Sequence, residues 1–161
     1  MLAGLCAPTA AHAVSIDVTC AGTETVSYSP GLLLTTQTVR TSVTGSLAAC
    51  SSSDPGITAG TYREDFSASL SCATLLSGRA GTRIFRWSDG TTSTFAFNRA
   101  LNNAAGQVTV TFSGSITAGR FTGDTVLEQV VFVTPNPLQC LASPGLTTLG
   151  PGPVVLSISQ L

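Results

Sequence analysis

The sequence contains no lysine, and its one histidine, His12, lies near the amino terminus. Charged residues make up only 9% of the 161 residues, compared with about 25% in an average soluble domain. The formal net charge of −1 gives no basic character that would favour nucleic acid or an anionic membrane surface. No apolar run approaches the roughly 18 residues that a spanning helix requires. We therefore expect neither a nucleic-acid partner nor insertion into a membrane.

The amino-terminal segment has the character of an export signal. Residues 1–13 are apolar and end in Ala11-His12-Ala13, which fits the small-x-small pattern of a signal-peptide cleavage site. Because the usual positively charged start is missing, we interpret this segment as the remnant of a signal peptide that begins upstream. The alternative is a frayed apolar terminus of a cytosolic protein. On the first interpretation, residues 14–161 form a single secreted β domain, located outside the cell or in the cell envelope.

Cleavage after residue 13 would remove Cys6 and leave an even number of cysteines: Cys20, Cys50, Cys72 and Cys140. An even number in an exported chain predicts two disulfides, for which four cysteines allow three pairings. If residues 30–37 contain the turn of the first hairpin, Cys20 and Cys50 lie nearly opposite each other. We therefore predict the bridge Cys20–Cys50 and, by elimination, the bridge Cys72–Cys140.

Motifs for the common catalytic and metal sites are also missing. A Ser-His-acid triad needs a histidine, and the expected mature chain has none. We find no GxSxG elbow, no phosphate-binding glycine loop and no cluster with metal-ligand spacing. The sequence thus predicts no enzyme activity, no cofactor and no metal.

After residue 13, apolar and polar residues alternate with a period of two. In the clearest segment Val108, Val110 and Phe112 share one face, while threonines occupy the other. Asp89-Gly90 predicts a type I′ hairpin turn, and the proline-rich residues 144–153 predict a loop. We predict an all-β fold, an antiparallel meander of about eight strands that forms a barrel-like or a sandwich domain. The sequence does not decide between these two architectures.

Several charged residues share the phase of apolar neighbours and would point inward: Glu24, Glu64, Arg83, Arg99 and Glu128. Buried charges must be paired, so an interior with carboxylates, guanidiniums and aromatic rings predicts a ligand pocket. The alternative is that these residues lie near strand ends, where the inward face already meets water.

Trp87 is the only tryptophan and directly precedes the Ser88-Asp89-Gly90 turn signal. If exposed, its ring could stack on a sugar or a partner, and the alternative is a place in the core. The candidate ligand-binding residues are therefore Glu64, Arg83 and Trp87. Convergence of these three residues on one cavity is the feature that would favour a ligand carrier.

Three stretches resemble small secreted proteins of actinobacteria, an uncharacterised group: residues 85–95 (FRWSDGTTSTF), 115–124 (SITAGRFTGD) and 137–141 (PLQCL). The absence of lysine, the richness in Ala, Gly, Thr and Ser, and the Ala-x-Ala motif belong to the same resemblance. This resemblance implies export. It gives no information about an activity or about site residues.

These observations favour an exported, non-catalytic binding or structural module. Its partner would be a cell-wall polymer, another exported protein or a small apolar ligand. A second hypothesis is a small-ligand carrier with a pocket inside a β-barrel. A third is a carboxylate-dependent hydrolase, which would need two acidic side chains facing one cleft.

Overall fold

A computed structural model describes residues 14–75 and 77–160, and most of these residues are in β-strands. The eight strands are β1 (Ser15–Leu32), β2 (Gln37–Ser52), β3 (Gly60–Leu70), β4 (Arg79–Trp87), β5 (Thr92–Ala104), β6 (Gln107–Gly119), β7 (Thr125–Val133) and β8 (Leu146–Gln160). A short 3₁₀ helix, Pro137–Leu141, lies between β7 and β8. The expected signal-peptide remnant, with Cys6 and His12, lies outside the described residues.

The strands form a closed antiparallel barrel. Each strand pairs with the next one along the chain, and β8 pairs back with β1. The predicted all-β meander is confirmed, and closure decides for the barrel over the sandwich. Closure pairs the two edges that an open eight-stranded sheet would leave free. Within residues 14–75 and 77–160, no helix is long and apolar enough to cross a membrane.

The two ends of the barrel differ in how densely side chains pack in the interior. At one end, which we call the closed end, lie residues 53–59, 88–91 and 120–124 together with the first and last described strand residues. Tightly packed aromatic rings fill this end: Phe85 lies 5.7 Å from Phe95 and 5.5 Å from Trp87 between ring centroids. The opposite end, which we call the mouth, carries residues 33–36, 71–75, 77–78, 105–106 and 134–145.

Both predicted disulfides are present. Cys20 and Cys50 are direct register partners on β1 and β2, as the position of the first turn implied. The second bridge joins Cys72, just after β3, to Cys140 in the 3₁₀ helix, and so lies at the mouth. Disulfides of this kind are characteristic of proteins in oxidising compartments.

The position of the type I′ turn differs from the sequence prediction. A hairpin does connect β4 to β5, but only Gly90 of the pair Asp89-Gly90 has a positive φ, of 85°. Asp89 instead accepts hydrogen bonds through Oδ1 from the backbone N–H and the hydroxyl of Thr91, at 2.9 and 2.6 Å. The two-residue turn with positive φ at both positions is Ala105-Gly106, at 54° and 76°.

The predicted loop at residues 144–153 is wrong over most of its length, because β8 already begins at Leu146. The β7–β8 pairing ends at Val130–Val154, so the mouth-proximal part of β8 pairs only with β1. Proline is tolerated along such a locally unpaired edge, since it has no N–H to donate there. Pro151 and Pro153 are therefore compatible with a strand, although the high proline content of this segment favoured a loop.

The period-two alternation is interrupted at the start of β1. It predicts that Ile16 faces inward with Val18, two residues later, yet Ile16 is 59% exposed. The pairing of β1 with β8 shifts register between these two residues, so Asp17 is turned inward instead.

We expect loss of the mouth disulfide to destabilise the fold strongly. The double variant Cys72→Ser/Cys140→Ser should lose about 4 kcal/mol of unfolding free energy, because the bridge spans a sequence separation of 68. The double variant Cys20→Ser/Cys50→Ser, with a separation of 30, should lose about 3–4 kcal/mol. Urea unfolding followed by Trp87 fluorescence measures both. A loss below about 1 kcal/mol in either variant would contradict the expected constraint on the unfolded chain.

Candidate functional site

A buried arginine lies half-way along the barrel. Arg83 belongs to the inward-facing row of β4, and its side chain is only 1% exposed. Its Nη1 lies 2.8 Å from Oε2 of Glu128, while Nε and Nη2 contact the two carboxylate oxygens of Glu64 at 3.1 and 3.3 Å. The contact with Glu64 is bidentate, the geometry that best matches the planar guanidinium fork.

A third carboxylate and two aromatic rings complete this group. Oε2 of Glu24 lies 3.4 Å from Nη1 of Arg83 and accepts a hydrogen bond of 2.6 Å from the Tyr62 hydroxyl. The guanidinium carbon of Arg83 lies 4.0 Å from the ring centroid of Tyr62 and 4.5 Å from that of Phe112. We call Glu24, Tyr62, Glu64, Arg83 and Glu128 the arginine cluster.

Burial changes the protonation of the cluster. Burial raises the pKa of Glu24 to about 7, although Arg83 and the Tyr62 hydroxyl act in the opposite direction. Burial also raises the pKa of Glu128, again opposed by Arg83. For Arg83 itself burial disfavours the charged form, but the charges of Glu128 and Glu24 outweigh it and raise the pKa. The cluster therefore keeps its cation at all ordinary pH values, and Glu24 exchanges a proton near neutrality.

A cavity of about 110 Å³ lies between the arginine cluster and the mouth. Its floor consists of Glu24, Glu64 and Arg83. Its wall is mainly apolar, formed by Val26, Val43, Phe66, Leu70, Phe97, Leu101, Val108, Val110, Phe112 and Phe132. The polar residues nearest the mouth are Ser71, Thr74, Ser77, Arg79 and Arg99. The barrel thus has a packed half and an open half, divided by the arginine cluster.

Three connections at the mouth are tied together. The Cys72–Cys140 bridge links the β3–β4 connection to the 3₁₀ helix. The β1–β2 turn joins both: its Leu33 carbonyl accepts a hydrogen bond of 2.9 Å from the Cys72 N–H, and its Leu34 N–H donates to the Cys140 carbonyl at 3.1 Å. The backbone around the mouth is therefore braced from three sides.

The structure brings Glu64 and Arg83 together, as the alternation of their strands predicted, and adds Glu24 and Glu128. It places Trp87 elsewhere, in the packed core of the closed end, where the indole N–H donates to the Ser93 hydroxyl at 2.8 Å. The cavity lining includes Glu64 and Arg83 but not Trp87, so the three candidate residues do not converge on one cavity, and Trp87 has the core position that was the alternative.

Two residues at the mouth were not among the predicted site residues. Arg79 and Arg99 both line the cavity. Arg99 shares the phase of Phe95 and Phe97, and Arg79 shares that of Arg83, so a signal was present in the sequence. No such phase marks Ser71 or Thr74, which reach the cavity from a connection rather than a strand.

No group of three or more potential metal ligands occurs in the part of the chain that the structure describes. Comparison of the chain with protein-family models, with curated proteins and with solved structures finds no match.

We expect Arg83→Met to be severely destabilising at pH 7. It removes the cation that contacts the buried Glu24 and Glu128 and the half-buried Glu64, and breaking a buried ion pair in this way costs about 3–5 kcal/mol. Arg86→Met is the matched control, because Arg86 lies on the outer face of the same strand and should change stability by no more than about 0.5 kcal/mol. Urea unfolding of both variants provides the measurement. Equal losses in the two variants would show that the cluster contributes nothing.

We expect the free energy of unfolding to fall as pH rises from about 4.5 to about 7. The folded protein holds a proton on Glu24 in this range, whereas a carboxyl of ordinary pKa 4.5 has lost it in the unfolded chain. Stability from that proton is therefore complete at low pH and is lost as pH passes through about 7. Glu24→Gln should flatten this dependence in urea titrations at several pH values. A slope unchanged from the wild type would refute the assignment to Glu24.

Proposed function

We propose that the protein is an exported, non-catalytic carrier that binds a small ligand in the open half of its barrel. The observation that carries this proposal is the cavity of about 110 Å³ above the arginine cluster. Small-molecule sites are typically concave and mostly apolar, with a few polar groups in fixed positions. The apolar wall and the anchored side chains of Glu64 and Arg83 have this character.

The dimensions of the cavity limit the ligand. An engineered apolar cavity of about 150 Å³ in another protein binds benzene, whereas drug-sized ligands occupy roughly 300–1,000 Å³. We therefore propose a ligand with an apolar body of roughly six heavy atoms. The fixed mouth and the paired floor leave few groups to reorganise on binding, which lowers the entropic cost.

The two disulfides support a location outside the cell or in the cell envelope, since such bridges persist in oxidising surroundings. A carrier in that location would take up its ligand directly from the medium or the envelope. A module that instead recognises a cell-wall polymer or another exported protein would use the outer surface and leave the cavity unoccupied. Binding experiments on the cavity therefore separate these roles.

One observation favours a second candidate, carboxylate-dependent hydrolysis. Glu24 lines the floor of the cavity, and its pKa of about 7 suits a group that donates and accepts a proton near neutral pH. Glu64, the other carboxylate at the floor, is held in a bidentate contact by Arg83. We place this candidate second because that contact occupies both oxygens of the second acid. Hydrolytic turnover by the wild-type protein that is lost in Glu24→Gln would favour hydrolysis over the carrier function.

Titration with 1-hexanol, followed by amide NMR shifts, tests the proposed carrier function. We expect saturable shifts that are confined to amides of the cavity wall, such as those of Val43 and Phe112. Val110→Phe should abolish these shifts, because the added ring occupies the cavity. Leu127→Phe is the matched control, since Leu127 is 47% exposed on the outside of β7 and should leave binding unchanged. Shifts that fail to saturate, or that spread over the outer surface, would overturn the proposal.

A further inference from the structure

Two arginines at the mouth of the cavity have no carboxylate partner. Arg79 on β4 and Arg99 on β5 are direct register partners, and both line the cavity. Within residues 14–75 and 77–160, neither forms an ion pair with an Asp or Glu side chain, unlike Arg83 deeper in the barrel. Like charges directly opposite each other on neighbouring strands are destabilising. A pair of this kind is therefore costly unless something anionic binds between them.

Both guanidinium groups are held in position by other contacts. The guanidinium carbon of Arg79 lies 4.3 Å from the ring centroid of Phe66, in a cation–π contact. Nη2 of Arg99 donates a hydrogen bond of 2.7 Å to the Ser77 carbonyl in the braced β3–β4 connection. The two cations are thus oriented at the mouth before any ligand arrives.

Arg99 has an unused hydrogen-bond donor. Its Nε is buried and has no hydrogen-bond partner in the protein. Leaving such a donor unpaired is costly, and a charged acceptor is the partner that a guanidinium binds most strongly. Burial, and after it the neighbouring charge of Arg79, lower the pKa of Arg99. An anion bound between the two side chains at the mouth would relieve the repulsion between Arg79 and Arg99.

The charges along the barrel axis indicate how such a ligand would lie. At the floor, the single cation of Arg83 already contacts the carboxyl groups of Glu24 and Glu64 and, behind them, that of Glu128, so the floor has no free cation for a further negative charge. The mouth carries the two unpaired cations, and the wall between mouth and floor is apolar. A negative group therefore belongs at the mouth, with an apolar body extending inward toward Phe97 and Phe112.

We propose that the ligand is a small monocarboxylic acid whose carboxylate lies between Arg79 and Arg99 and whose apolar body of roughly six heavy atoms fills the cavity. This inference rests on the proposed carrier function and specifies its ligand class. The planar carboxylate matches the fork of donors that Arg99 presents, and Arg79 supplies the second charge.

Three probes of equal chain length test the inference: hexanoate, 1-hexanol and hexylamine, each titrated at pH 7 by calorimetry and by amide NMR. We expect hexanoate to bind at least tenfold more tightly than hexanol, and hexylamine to bind more weakly than either. The hexanoate affinity should fall as sodium chloride is raised, while the hexanol affinity should not, because salt screens a charge pair at an accessible mouth.

Variants test whether the two arginines cause the preference for hexanoate over hexanol. Arg99→Gln and Arg79→Gln should each lower the hexanoate affinity about tenfold or more and leave the hexanol affinity within about twofold. Arg86→Gln is the matched control, since it removes the same charge from the outer face of β4 and should leave both affinities unchanged. Arg79 is exposed, so its variant tests the inference even where Arg99→Gln impairs folding.

The outcomes distinguish the inference from the function on which it rests. Failure of all three probes to bind would overturn the carrier function and the inference together. Equal affinities for hexanoate and hexanol, insensitive to both substitutions, would overturn only the carboxylate inference. Tighter binding of hexylamine would reverse the proposed orientation, with the charged group at the floor, and would also overturn it.

Discussion

The contact of Arg83 with three carboxylates governs the interior of this barrel. A guanidinium taken out of water needs partners on every side, and three strands supply them: β1, β3 and β7 provide Glu24, Glu64 and Glu128 around the arginine of β4. Because all of these side chains must meet at one level of the barrel, the registers of the strands are constrained together. An apolar core of equal volume would tolerate small shifts that this polar group does not.

The arginine cluster also separates the packed closed end of the barrel from the half that contains the cavity. Below it, buried aromatic and branched side chains pack against one another and fill the closed end. Above it, the apolar side chains of the wall do not meet across the barrel axis, and the cavity remains. Because the mouth disulfide and the β1–β2 turn brace the open half, it does not depend on a filled interior for its shape. With this division, the same eight strands supply both a folding core and the proposed binding site.

Much of this arrangement follows from local sequence patterns. Period-two alternation predicted the strands, the inward direction of Glu64 and Arg83, and, through the first turn, the disulfide Cys20–Cys50. Barrel closure was not predictable, because it depends on pairing between β1 and β8, which are far apart in sequence. Trp87 shares the phase of Arg83, yet it lies in the closed end and does not reach the cavity, since the phase gives the face of a strand and not the position along it. The proline-rich start of β8 was predicted to be a loop for a similar reason. That it can be a strand edge depends on where β7 stops pairing with β8, which the local sequence does not show.

The pairing of the first and last strands fixes where the described chain begins and ends. Ser15 and Gln160 are register partners, and both lie at the closed end, opposite the mouth. A tether, a surface or a fused domain attached at either point therefore lies on the side away from the mouth. Immobilisation through these positions leaves the mouth of the cavity facing the solution.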